Sequence, residues 1–172
     1  MGYSTDFKGS FTCHPPLSSD HQRYLTAFSI TRRVKRNELR AEQRTDLLRV
    51  MVGLPIGVEG GYYVSSSDNY GGRTDDSVTC YNTPPEGQPS LWCGWIPNED
   101  GTEIIWDGAE KFYEYVPWLN YLIEHFLKPW GYFLSGEVEW AGEDNSDNGT
   151  ITMVNGTPVI DMYTREEEND DY

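Results

Sequence analysis

Residues 88–108 read QPSLWCGWIPNEDGTEIIWDG. Two short apolar runs flank Asp100 and Gly101, and Asp-Gly between such runs is a strong signal for a tight β-hairpin. The stretch also holds three of the chain's six tryptophans. In the first strand Trp92, Gly94 and Ile96 share one face, and Leu91, Cys93 and Trp95 the other. Across the turn Ile104 and Trp106 oppose Ile105 and Asp107. Both faces are therefore partly apolar. Either the hairpin is central and covered on both sides, or one face stacks a ligand or anchors a partner.

Outward from the hairpin, further strands alternate in the same way. In FKGSFTC (residues 7–13), Phe7, Gly9, Phe11 and Cys13 lie on one face. In GYFLSGEVEWAG (131–142), Leu134, Gly136, Val138 and Trp140 form an apolar face, and Phe133, Ser135, Glu137 and Glu139 the other. GGYYVSSS (60–67) and SVTCYN (77–82) read as two more strands. TITMV (150–154) and the segment around Asn155 and Gly156 read as a closing hairpin. Ser19 with Gln22 resembles a capping box, which predicts a helix from about Asp20 with Tyr24, Leu25, Phe28 and Val34 on its apolar side. The helix is expected to continue through the basic stretch to Gly53, after a break near Asn37. Residues 109–128 show the clearest helical spacing, with Pro117 predicting a kink or a late start. The pattern is α+β: a mainly antiparallel sheet with helices packed on one face. One domain spans residues 1–164, and 165–172 form an acidic, disordered tail.

Charge is unevenly distributed. The net charge is −15 over 172 residues. Residues 23–49 carry eight basic side chains against three acidic ones, whereas residues 50–172 carry four against 23. Net attraction to DNA is not expected. Three cysteines, with no C-x-x-C, fit reduced thiols in a cytoplasm. The N-terminus has neither the basic nor the apolar region of a signal peptide, and no apolar run approaches the ~20 residues of a membrane span.

Candidate site residues follow from these patterns. Arg32, Arg33 and Arg36 supply positive charge for a phosphate, and Trp92, Trp95 and Trp106 supply surfaces for a base. Glu137, Glu139, Glu143, Asp144 and Asp147 form an acidic cluster able to meet a basic partner. Asp144, Ser146, Asn148 and Gly149 match the first half of a calcium loop, but Asn155 stands where the bidentate glutamate belongs and strands flank it. Arg32, Ser66 and the Glu137-x-Glu139 pair occur in the order an ADP-ribosyltransferase would use. No P-loop, G-x-S-x-G, G-x-G-x-x-G or paired zinc-ligand spacing occurs, so neither a metal nor a cofactor is expected.

MGYSTDFKGSF, TRRVKRN, QPSLWCGWIPNEDGTEIIWDGAEKFYEYVPWLNYLI and GYFLSGEVEWAGEDNSDNGTI resemble a family of small uncharacterised proteins found in bacteria and their phages. The resemblance covers most of residues 1–151 and carries over no catalytic residue. It implies a cytosolic protein, carried on mobile elements, that modulates host machinery or host defence. The expected function is a non-enzymatic binding or inhibitor protein. It would act on a basic nucleic-acid-binding host protein by mimicking nucleic acid, or sequester a nucleotide-like small molecule. The competing class is a nucleotide-acting enzyme using Arg32, Ser66 and Glu139.

Overall fold

The computed structural model describes residues 2–44, 46–65 and 75–163. Its frame is a six-stranded antiparallel sheet in the order β4-β5-β1-β6-β7-β8. The strands are β1 (Thr5–His14), β4 (Trp95–Pro97), β5 (Glu103–Trp106), β6 (Phe133–Gly142), β7 (Asn148–Val154) and β8 (Thr157–Met162). The longest ladder joins β1 to β6, from Thr5 opposite Gly142 to His14 opposite Phe133. The alternation read from the sequence holds. Phe7, Phe11, Cys13, Leu134, Val138 and Trp140 all point inward and are buried. The outward residues Asp6, Lys8, Glu137 and Glu139 are exposed. The expected α+β fold, with helices on one face of a mainly antiparallel sheet, is the observed one.

Two helices cover the inner face: α1 (Ser19–Ile30) and α4 (Tyr115–Leu122), which runs on into a π-helical turn (Ile123–Leu127). Rings join them: Phe28 meets Trp118 at 5.8 Å and Phe126 at 5.1 Å, and Tyr24 meets Phe126 at 5.4 Å. The N-cap of α1 is Ser18, one residue earlier than expected, and its hydroxyl accepts from the His21 N–H. Gln22 is not part of a capping box. Its amide donates to the Asn98 and Glu99 carbonyls at 2.9 and 2.6 Å, tying the helix to the hairpin turn. The helix expected over 109–128 starts late, at Tyr115. Pro117 sits in its first turn, where a missing N–H costs nothing. Left-handed backbone at Lys111 and Glu114, with φ of 62° and 57°, keeps 109–114 out of the helix. Among the described residues no helix is long and apolar enough to cross a membrane.

The basic segment departs most from expectation. It is not one helix but an extended stretch at 31–36 followed by two short helices, α2 (Glu38–Glu42) and α3 (Leu47–Met51). The Thr31 hydroxyl donates to the Ala27 carbonyl and accepts from the Ser65 N–H, which ends α1. The chain then pairs through Arg33 N–H to Leu91 O at 2.8 Å and Lys35 N–H to Thr83 O at 2.9 Å. Lys35 and Arg36 form β2, beside β3 (Val78–Cys80) in a separate two-stranded sheet.

Arg33 enters the core. Its Nη2 donates to the Gly61 and Tyr63 carbonyls, both at 2.8 Å, and its Nε donates to Gln88 Oε1 at 3.2 Å. The guanidinium lies 4.0 Å from the Phe28 ring centre. Burial lowers its pKa to about 10. These contacts explain why the strand expected over 60–67 does not form in its described part, 60–65. The carbonyls a ladder needs are taken by Arg33, and Gly57 and Gly60 turn the chain at φ of 78° and 75°. Arg36 pairs with Asp75 and donates to the Ser77 hydroxyl at 2.8 Å, its guanidinium over the Tyr63 ring at 4.1 Å. Burial alone would raise the Asp75 carboxyl, but hydrogen bonds from Ser77 and Arg36 outweigh it and hold it below the usual range. Arg49 pairs with Asp46 at 3.0 Å.

Replacing Arg33 by Ala should cost about 3 kcal/mol or more in denaturant unfolding, because carbonyls made to face a cation are left dry. Replacing its neighbour Arg32 should cost about 1 kcal/mol or less. A second expectation concerns His21, stacked 4.0 Å from Trp130 with Nδ1 2.8 Å from the Tyr132 hydroxyl. Burial lowers its pKa, opposed by Asp20. The folded state therefore binds this proton less readily than the unfolded chain. The stability it carries is present above the unfolded value of about 6.5 and is lost as pH falls through it. Tm should fall between about pH 7.5 and 5.5, and His21→Gln should fall less over that interval.

Candidate functional site

The hairpin separates the three tryptophans. Trp95 pairs with Trp106 across β4 and β5. Trp95 is core: 1% exposed, edge-on to Phe7 at 5.3 Å and Phe112 at 5.3 Å, its indole N–H donating to the Tyr115 carbonyl at 2.7 Å. Trp106 is partly buried on the same face, 5.4 Å from Phe7, and donates to the Ala109 carbonyl. Trp92 lies ahead of the strand, which begins only at Trp95, and is 37% exposed. Of the three, Trp92 alone is exposed rather than buried or partly buried.

A groove of about 430 Å³ lies beside it. Its walls are Ile30 at the end of α1, Trp92, and Phe112 from the loop before α4; Asp107, Glu110 and Lys111 supply charge. Gly94 forms part of the lining. A Cβ there would meet the Phe112 ring at 2.5 Å, so only glycine lets the ring lie against the backbone. The loop is pinned by Asp107 N–H to Gly94 O and by Ala109 N–H to Asp107 Oδ1, both 2.9 Å. Although Asp107 is exposed as a residue, desolvation of its carboxyl raises its pKa, opposed by the Ala109 hydrogen bond. The sequence signal for this loop is the Asp107-Gly108 pair just after the hairpin. Which side chains it brings to Trp92 depends on the left-handed turn at Lys111, which no pattern announces.

The three arginines also divide. Arg33 and Arg36 are buried in the network described above and present no surface to a phosphate. Arg32 points the other way. Its guanidinium lies 4.2 Å from the Tyr81 ring centre and 5.9 Å from that of Trp92, with bonds to Tyr81 O and Asn82 Oδ1.

The acidic candidates fall into two groups. Glu143, Asp144 and Asp147 occupy the turn between β6 and β7 and hold the N-terminus. Glu143 accepts from the Ser4 N–H at 2.7 Å. Asp147 accepts from the Tyr3 hydroxyl at 2.7 Å and the Trp140 indole at 3.0 Å. Asp144 accepts from the backbone N–H and the hydroxyl of Ser146, closing the half calcium loop upon itself. Glu137 and Glu139 stand instead on the outer face of the sheet. That face also carries Asp6, Glu103 and Asp161, and Lys8 is its one lysine or arginine among the described strand residues. Among the described residues no three or more His, Cys, Asp or Glu side chains converge to hold a metal ion.

Arg32 and Glu139 are not brought together: Arg32 lies against Tyr81, beside Trp92, whereas Glu139 stands on the outer face of β6 opposite Lys8. Ser66 lies outside the described residues.

Trp92→Phe should remove more acrylamide-quenchable emission than Trp95→Phe or Trp106→Phe. Trp95→Ala should cost about 3–5 kcal/mol, and Trp92→Ala about 1 kcal/mol or less. Compared with protein-family models, with curated proteins and with solved structures, the chain finds no match.

Proposed function

We propose that this chain is a non-enzymatic, phage-derived binding protein that occupies a basic nucleic-acid-binding protein of the host through the outer face of its sheet. One observation carries the reading: Asp6, Glu103, Glu137, Glu139 and Asp161 stand on a sheet face where, among the described strand residues, only Lys8 opposes them. Alternate residues of a strand lie ~6.6–6.8 Å apart, and neighbouring strands ~4.8 Å. The result is a closely spaced array of negative charge, which a basic patch evolved for a phosphate backbone can meet without a matching pocket. A host partner and a host-cytoplasmic setting are part of the same proposal, resting on the sequence resemblance described above. The face leaves no surface for DNA itself.

The test is capture from host lysate on the immobilised full chain, eluted by a salt gradient and read by mass spectrometry. It is run beside the triple variant Glu137→Gln, Glu139→Gln, Asp161→Asn. These are exposed positions, so the variant should keep the wild-type Tm within a few degrees. A basic nucleic-acid-binding protein, released at moderate salt and retained at least roughly tenfold less by the variant, is the expected result. Retention indifferent to both salt and the triple substitution would overturn the proposal.

A further inference from the structure

We infer that the free edge of β8 receives an extended segment of a basic partner protein as an added strand, its basic side chains on the outer face of the sheet and its apolar ones on the inner face. The inference rests on the reading that the outer face meets a basic partner, and it adds the main-chain contact that holds that partner. β8 ends the strand order, and among the described strands only β7 pairs with it. Apart from Pro158, which is partly buried, every residue of β8 is exposed.

The register shows which main-chain groups are free. Val154 and Thr157 flank the two-residue turn Asn155-Gly156, whose φ angles are 52° and 75°. The pair flanking such a turn is hydrogen-bonded, and bonded pairs then alternate along the ladder. Val159 and Asp161 therefore bond to Thr152 and Thr150. Tyr163 keeps the same alternation, its N–H donating to the Asn148 carbonyl at 3.0 Å. The N–H and C=O groups of Ile160 and Met162 face away from β7, as does the Pro158 carbonyl. Pro158 lacks an N–H on that open side, where proline is tolerated. Beyond it no lysine, proline or bulge blunts the strand.

The side chains set the chemistry of the occupant. Ile160 and Met162 lie opposite Ile151 and Gly149 on the inner face, yet stay 42% and 55% exposed. Apolar side chains of an added strand would cover them. On the outer face Asp161 stands at the edge, with Glu139 two strands inward. A lysine or arginine opposite Asp161 makes a cross-strand pair of opposite charge. A second copy of this chain would instead bring another net charge of −15. Charge therefore selects a basic segment, and the pleat requires it to alternate basic and apolar residues.

Fluorescence anisotropy of the full chain with a labelled peptide alternating lysine and valine tests the assignment. This peptide should bind at least roughly tenfold tighter than one of the same composition with its lysines and valines in two blocks. Only one alternate set of its N–H groups can face β8. N-methylating the valines or the lysines should therefore abolish binding in one case and spare it in the other. Ile160→Pro removes a donor that faces away from β7, and should weaken the alternating peptide at least roughly tenfold with Tm near wild type. Block and alternating peptides binding equally, with both lost in the triple variant Glu137→Gln, Glu139→Gln, Asp161→Asn, would overturn the added strand and leave the acidic-face reading standing. Binding that both N-methylations spare, or no binding at millimolar peptide, would also overturn it. So would dimerisation of the isolated chain that Ile160→Pro removes, which would give the edge to a second copy.

Discussion

A buried arginine that meets no carboxylate among the described residues sets the order of this structure. The Arg33 side chain donates to two main-chain carbonyls and an amide oxygen and lies on the face of Phe28, while its Nη1 is buried without a hydrogen-bond partner. Taking a guanidinium out of water is costly, and these groups offset the cost only if all are held in place together. Gly61, Tyr63 and Gln88 belong to otherwise irregular segments, and Arg33 gathers them against α1. The extended backbone then fixes what its neighbour does. Successive residues of an extended chain face opposite ways, so burying Arg33 turns Arg32 outward, onto Tyr81 and beside Trp92. The placement of the Arg32 guanidinium over the rings of Tyr81 and Trp92 is thus a consequence of an interaction in the core.

The sheet solves a different electrostatic problem. Its outer face is rich in carboxylates, and like charges directly opposite each other across strands are destabilising. The register avoids that pairing. Glu139 stands between Lys8 on β1 and Thr150 on β7, and Thr150 in turn separates it from Asp161 on β8. Glu137 stands between Ser10 and Thr152. Carboxylates in one row are therefore two strands apart, ~10 Å, about a Debye length at physiological salt. Hydroxyl-bearing residues let the face hold its charge while leaving it available to a partner of opposite sign.

Most of the strands, and the hairpin pairings at Asp100-Gly101 and Asn155-Gly156, were legible because period-two alternation and tight turns are local signals. Both strands of the longest ladder, 7–13 and 131–142, were read with the right face inward. Pro117 announced a kink or a late start of α4, and the left-handed residues Lys111 and Glu114 make it the late start. The basic segment was not, because its helical spacing is real in isolation and is overridden by what Arg33 finds across the chain at Gly61, Tyr63 and Gln88. The same long-range contacts defeated the strand expected over 60–67. Of the candidate site, Trp92 and Arg32 were legible as residue types, but Trp95 and Arg33 looked equally suitable. The choice between neighbours depends on where β4 begins and on which way an extended backbone faces. Asp107 and Lys111 went unread because a left-handed loop delivers them.

Carboxyl footprinting tests the central claim most directly, by measuring which acids of the chain lose reactivity toward a carbodiimide label when its captured host partner is bound. The account predicts protection at Glu137, Glu139 and Asp161 on the outer face, with Glu38, Glu42 and Glu124 still labelled as in the isolated chain. Protection confined to the acids of residues 165–172, or to Glu38 and Glu42 in the basic segment, with the outer face still fully reactive, would contradict it.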